Sequence, residues 1–114
     1  MKTVQDALRP TGIPAYATAW KPTLQQKTAP AKYMVYTTMR TEDEHYDDHA
    51  ITYRVYIYLN LWTKSDPTPD IVTVRAAMRD AGFELFDERD SYNDETDQTL
   101  IAWTWVGWEA VECR

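Results

Sequence analysis

The chain has 114 residues, the length of one ordinary domain, so we expect a single domain over residues 1–114. Its 18 acidic and 12 basic side chains give a formal net charge of −6, which argues against a protein that binds the phosphate backbone of DNA or RNA. The only cysteine, Cys113, excludes an intrachain disulfide and a cysteine-based zinc site, and the absence of a long apolar run predicts a soluble protein without a membrane span.

The N-terminal residues predict a short helix followed by a strand. Apolar residues fall on one helical face over residues 3–8, but Pro10 and Gly12 stop the helix early. We therefore expect a cap on the fold and not a core helix. Weak alternation over residues 13–20 then predicts a first strand.

The central region predicts two further strands. Residues 33–39 are rich in β-formers, and residues 41–49 form an acidic segment that we expect to be an exposed loop. Residues 50–63 give the clearest strand pattern, because apolar residues recur there at a period of two. One face of this strand carries Ile51, Tyr53, Val55, Ile57, Leu59 and Leu61.

A long helix is predicted over residues 69–81. Thr68 is a capping residue, Pro69 suits the first helical position, and Gly82 supplies a left-handed stop. The apolar stripe of this helix consists of Ile71, Val74, Met78 and Ala81.

The C-terminal region predicts a hairpin. Residues 83–89 and 99–111 have strand patterns, and the acidic residues 90–98 between them are typical of a turn. Strands joined by hairpins around one helix favour an α+β fold. We therefore expect a mainly antiparallel sheet of four to five strands, with the long helix and the short N-terminal helix packed on it.

The sequence gives little support for catalysis, so we expect a protein that is not an enzyme and has no cofactor. His45 and His49 are the only histidines and are four residues apart among carboxylates, which is a weak pattern for a divalent metal. A solvated acidic loop is the favoured interpretation. The chain has only 3 glycines and no phosphate-binding glycine-rich loop.

The aromatic residues are unusual in number, with 5 Trp and 8 Tyr. Five of them are predicted to form one aromatic sheet face, either as core beneath the helix or as a contact between subunits. The second interpretation gains support because Tyr and Trp are enriched at the energetic centres of interfaces. These candidate interface residues are Tyr56, Tyr58, Trp62, Trp103 and Trp105.

The predicted elements follow one another in a recognisable order. An acidic Tyr-containing loop precedes a long strand that ends in a Trp-Thr-Lys turn, and a helix and a closing aromatic strand follow. The segments with this pattern are Ile13 to Tyr16, Tyr46 to His49, Tyr53 to Lys64, Ala81 to Phe83 and Asp90 to Thr96. From about Ile13 to Trp108, this order of features resembles the tail-completion or tail-terminator proteins of long-tailed bacteriophages, as a pattern and not as close identity.

The resemblance implies a structural virion protein of the tail or neck, made in the host cytoplasm. It implies a homo-oligomeric ring, with a hexamer as the expected number, that contacts the tail tube protein and the head-tail connector protein while DNA passes through without specific binding. The alternative from a different class is a small ligand-binding domain with an aromatic-lined pocket. The acidic loops would face the channel or a partner through Glu42, Asp43, Glu44, His45, Asp47, Asp48, Asp90, Asp94 and Glu95.

Overall fold

The predicted α+β fold is confirmed by a computed structural model, which describes residues 3–18, 31–46 and 50–112 and the side-chain surroundings of residues 3–18, 31–41 and 53–108. These parts contain two short α-helices, a single 3₁₀ turn and five strands. In chain order the elements are α1 (Val4–Leu8), the 3₁₀ turn (Arg9–Thr11), β1 (Ala15–Ala17), β2 (Lys32–Tyr46), β3 (Ala50–Thr63), α2 (Thr68–Asp80), β4 (Glu84–Asn93) and β5 (Gln98–Glu112).

The five strands form one sheet in the order β1-β2-β3-β5-β4. The pairs β2–β3, β3–β5 and β4–β5 are antiparallel, as expected. Strand β1 pairs with β2 in parallel, so the sheet is mixed. Strands β1 and β4 therefore lie at opposite edges, and β2, β3 and β5 lie between them.

Both helices contribute to the core on one face of the sheet. Val4, Ala7 and Leu8 of α1 are buried together with Val74 and Met78 of α2, so the expectation that α1 is only a cap was wrong. No helix within the described ranges is long and apolar enough to cross a bilayer. The sheet contributes Met34, Val55, Ile57, Leu59, Leu61, Ile101, Trp103 and Trp105 to the same core.

Helix α2 differs from the prediction at its start and in its length. It spans 13 residues, about two turns more than the 5 residues of α1, so it is not a long helix, and it starts and ends one residue earlier than predicted. Thr68 is not the capping acceptor, because its backbone N and Oγ1 both donate to Oδ1 of Asp66 at 3.0 and 2.9 Å. These hydrogen bonds from Thr68 lower the pKa of the Asp66 carboxyl.

The end of α2 follows the prediction for Gly82. Gly82 has φ = 97°, and its N–H donates to the carbonyl oxygen of Arg79 at 3.0 Å. The N–H of Phe83 donates to the carbonyl oxygen of Met78 at 3.0 Å, which completes a Schellman motif. Because Phe83 and Met78 are both buried, this motif also fixes the direction in which β4 leaves the helix.

Two strands run further than predicted. Strand β2 continues into the acidic segment, where Glu42 pairs with Tyr53 and Tyr46 pairs with Ala50, so residues 42–46 are strand and not loop. Strand β4 likewise includes Asp90, which pairs with Ile101. In both cases pairing with a long apolar neighbouring strand prevails over the low β-propensity of acidic residues.

Candidate functional site

The sheet has a second face that carries aromatic side chains. Along β3, the buried residues alternate with Tyr56, Tyr58 and Trp62, which therefore point away from the helices. We call this surface the open face, since neither described helix lies on it. It contains part of the aromatic face that the sequence predicts.

On the open face, Tyr56 and Trp62 have aromatic or apolar cross-strand neighbours, whereas Tyr58 lies between two threonines. Tyr58 is 40% exposed, and it lies between Thr37 of β2 and Thr104 of β5. Tyr16 and Tyr33 add an edge-to-face ring pair with centroids 6.4 Å apart. The remaining cross-strand neighbours on this face are Tyr33 and Leu100 beside Trp62, and Met39 and Val106 beside Tyr56.

The prediction that Trp103 and Trp105 share a face with Tyr58 was wrong. Trp103 pairs with Leu59 and Trp105 pairs with Ile57, so both indoles lie in the core beneath the helices. They are 2% and 0% exposed. Alternation within a strand shows which of its own residues share a face. Only the register between two strands shows which residues of the neighbouring strand lie on that same face of the sheet. The role of Tyr56, Tyr58 and Trp62 as an interface stays a prediction.

A small cavity lies at one end of the open face. It has a volume of about 170 Å³, and a bulge in β4 between Leu85 and Asp87 lies beside it. Phe86, at that bulge, is 72% exposed, and Trp108 is 43% exposed. Nη1 of Arg54 donates to Oη of Tyr56 at 3.3 Å within this group. The cavity is lined by Arg54, Tyr56, Glu84, Leu85, Phe86, Val106 and Trp108.

On the helix side, a polar network ties α2 to the sheet. Arg75 donates twice to the carboxylate of Glu88, from Nε to Oε1 at 2.9 Å and from Nη2 to Oε2 at 2.5 Å. The indole N–H of Trp103 also donates to Oε1 of Glu88. Partial burial raises the pKa of Glu88, but the hydrogen bonds from Arg75 and Trp103 and the positive charge of Arg75 outweigh burial and hold that pKa below its ordinary value. This network is structural, because it joins the core helix to an edge strand.

The acidic residues predicted to face a channel or a partner are distributed over several places. Glu42, Asp43, Glu44 and His45 lie on β2, and their side-chain surroundings are outside the described residues, as are Asp47 and Asp48 altogether. Asp90 is exposed on β4, while Asp94 and Glu95 are exposed in the turn before β5. The hydroxyl of Tyr92 donates a hydrogen bond to Asp97 across that turn, and this hydrogen bond raises the pKa of Tyr92.

The described residues contain no group of three or more His, Cys, Asp or Glu side chains that could hold a metal ion. His49 and Cys113 lie outside them.

Three exposed residues of the open face were missed from the sequence. Trp108 could have been found, because it shares the period-two face of Val106 on β5. Phe86 could not, since the bulge breaks the alternation of β4 at that position. Met39 is 45% exposed, and it has no aromatic ring, so the enrichment of Tyr and Trp at interfaces does not indicate it. The sequence matches no protein-family model and no curated protein.

Proposed function

We propose that this protein is a non-catalytic structural subunit that assembles with copies of itself through the open face. One observation carries the proposal: a sheet face with Tyr56, Tyr58 and Trp62 at its centre has no helix on it within the described residues. Exposed aromatic and apolar side chains on a sheet face without a helix are typical of an interaction site. Tyr and Trp are also the side chains that contribute most binding free energy at interfaces.

The arrangement of the two faces supports a head-to-tail contact between subunits. The helix side has its own well-packed core and presents mainly polar side chains outward, whereas the open face presents rings. Each subunit therefore offers two different surfaces, and a contact between different surfaces closes into a ring when the rotation between subunits allows it. The expected number of six subunits comes from the sequence resemblance and not from this arrangement.

The sequence resemblance supports the finer proposal of a tail-completion or tail-terminator subunit of a long-tailed phage. In that role the ring stands in the virion neck, between the tail tube protein and the head-tail connector protein. The formal net charge of −6 is compatible with such a position, because net repulsion lets DNA pass without binding.

The ligand-binding alternative is favoured by the cavity between Arg54 and Trp108, since polar and aromatic side chains converge there. Its volume of about 170 Å³ argues against this alternative. Pockets for small organic ligands usually have volumes of about 300 to 1,000 Å³. The cavity fits a single side chain better than a metabolite.

The first test is the solution mass of the purified protein over a concentration series, by light scattering after size exclusion, alone and with tail tube protein. We expect a ring in at least one of these conditions. Replacing Tyr58 and Trp62 with Ala should shift the midpoint of assembly at least roughly tenfold in concentration, because both rings lie at the centre of the open face.

Lys64→Ala is the control, since Lys64 is exposed in the turn between β3 and α2, beyond the end of the open face. It should leave the mass unchanged. A wild-type protein that stays a monomer at every concentration, and with tail tube and connector proteins present, would contradict the proposed function.

A further inference from the structure

Phe86 is the most exposed large apolar side chain among the described residues, at 72%. It is the extra residue of the bulge between Leu85 and Asp87, so it has no cross-strand partner on β5. It is also not a member of the buried core. A bulge on an edge strand redirects a side chain, and this one presents a phenyl group to solvent at the β4 end of the open face. The packing of the monomer therefore does not account for Phe86.

A groove lies at the opposite edge of the sheet, where α1 and the 3₁₀ turn meet the start of β1. Most of the side chains that line it are apolar, and its volume is about 320 Å³. A cavity of about 150 Å³ is enough for a benzene ring, so the groove admits the side chain of a phenylalanine. The apolar residues of its walls are Leu8, Ile13, Pro14 and Ala15.

The two polar side chains that line the groove are already bonded within the subunit. Nε2 of Gln5 donates to the carbonyl oxygen of Ala15 at 2.8 Å, and Nη2 of Arg9 pairs with Oδ1 of Asp6 at 3.0 Å. A pocket for a small ligand needs polar groups that fix the ligand, so these contacts favour an apolar side chain as the occupant. The hydrogen bond from Gln5 also occupies an acceptor of the edge strand β1, which disfavours the addition of a strand at that point.

The charges beside Phe86 and beside the groove are complementary. Glu84 is exposed two residues before Phe86, and its pairing with Val106 places it on the open face. Arg9 lines the groove with a side chain that is 77% exposed. Its ion pair with Asp6 lies in solvent and contributes little, so Arg9 is able to contact a carboxylate of another chain. The apolar side chain that fits the groove best therefore has an acidic neighbour, as Phe86 does.

We propose that Phe86 of one subunit inserts into the groove between α1 and β1 of a second copy, with Glu84 opposite Arg9. This inference rests on the proposed function, since it names the surface of the neighbour that receives the β4 end of the open face. Each subunit supplies Phe86 at one edge of its sheet and the groove at the other. The contact is therefore head-to-tail, and it closes into a ring of subunits when the rotation between them allows it.

The width of the sheet keeps Phe86 away from the groove of its own subunit. Strands β1 and β4 are four strand spacings apart, which is about 19 Å. A phenylalanine side chain is much shorter than this distance. The groove that Phe86 can reach is therefore that of a second copy.

Phe86→Ala tests the apolar part of the contact. It should raise the concentration needed for assembly roughly tenfold, because it removes a side chain that the contact buries. The unfolding free energy of the monomer should not change measurably, since Phe86 is mostly exposed there. Phe86→Leu keeps a large apolar side chain and should assemble close to the wild-type concentration. Light scattering after size exclusion, over a concentration series, measures all three proteins.

Charge reversal tests the pairing of Glu84 with Arg9. Arg9→Glu and Glu84→Arg should each raise the concentration needed for assembly roughly tenfold, because each places like charges in contact. The two changes combined should restore assembly. Glu95→Arg is the matched control, since Glu95 is exposed in the turn beyond the other end of β4. It should leave assembly unchanged.

The outcomes separate this inference from the proposed function. A wild-type ring that forms equally well with Phe86→Ala overturns the docking of Phe86 and leaves the proposed function standing. A combined charge variant that assembles no better than the two single variants also overturns the inference. A wild-type protein that never assembles overturns both.

Discussion

The side chain of Glu88, on the edge strand β4, links that strand to helix α2. Its carboxylate accepts from both Arg75 and Trp103, and its side chain is 25% exposed. Glu88→Gln keeps the shape and can still accept from the indole, but it removes the charge that Arg75 contacts. We expect the free energy of unfolding to fall by about 1 to 2 kcal/mol, a value already reduced for solvent screening. Urea unfolding at neutral pH measures it.

Asp87→Asn, at the preceding residue of the same strand, is the control for this substitution. Asp87 also contacts an arginine, but the side chain of Arg89 is 82% exposed, so the pair contributes little. Equal losses from Glu88→Gln and Asp87→Asn would contradict the view that Glu88 links α2 to the sheet.

The same residue predicts a dependence of stability on pH. The pKa of Glu88 in the folded protein lies below its ordinary value of 4.5, so the folded state binds a proton less readily than the unfolded state. Its contribution to stability is present in full above about pH 4.5 and is lost as the pH falls through the folded pKa. The difference in unfolding free energy between wild type and Glu88→Gln should therefore shrink on acidification. A difference that stays constant in acid would contradict the assignment.

At the scale of elements, the junction between α2 and β4 depends on the backbone of Gly82. Its φ of 97° lies in the left-handed region, and no atom lies within 4 Å of the place where a Cβ would stand. The cost of Gly82→Ala is therefore conformational and not steric, and we expect it to be about 1 to 2 kcal/mol. Thermal and urea unfolding measure it.

Gly82→Asn is the matched substitution, since Asn adopts left-handed conformations more readily than Ala. It should cost clearly less. If Asn and Ala proved equally destabilising, the backbone conformation of Gly82 would not be the reason for its presence.

The helix and strand pattern could be predicted from the sequence where local chemistry decides it. Strand β3 was predicted with its bounds, Ala50–Thr63, because its apolar residues alternate without interruption. The start of α2 was misplaced by one residue, because a Thr beside a Pro is typical of a cap and the acceptor Asp66 lies further upstream. The ends of β2 and β4 were predicted too early, since pairing with a neighbour is not visible in an acidic segment itself.

The candidate site was harder to predict than the elements, because it depends on the register between strands. The alternation of β5 correctly separates Ile101, Trp103 and Trp105 from the residues between them. Only the pairing of Trp103 with Leu59 shows that these indoles share the core face of β3. Such a pairing joins residues far apart in sequence and has no local signal.

At the scale of the whole molecule, the sheet divides its aromatic residues between two roles. Trp103 packs in the core and donates to Glu88, whereas Tyr58 lies on the opposite face. Under the proposed function, one face determines the stability of the monomer and the other determines assembly. The two properties should therefore respond to different substitutions.

Trp103→Phe tests this separation, because it removes the indole hydrogen bond and part of a buried ring without emptying the site. We expect the free energy of unfolding to fall by about 1 to 3 kcal/mol, while the folded protein assembles at the wild-type concentration. Tyr58→Ala should do the reverse, with a stability change within about 0.5 kcal/mol and weaker assembly, since a half-exposed ring contributes little to the monomer. Urea unfolding and solution mass on the same samples give both values. If Trp103→Phe weakened assembly as much as Tyr58→Ala does, the two faces would not act separately, and the contact between subunits would depend on the packing of the core.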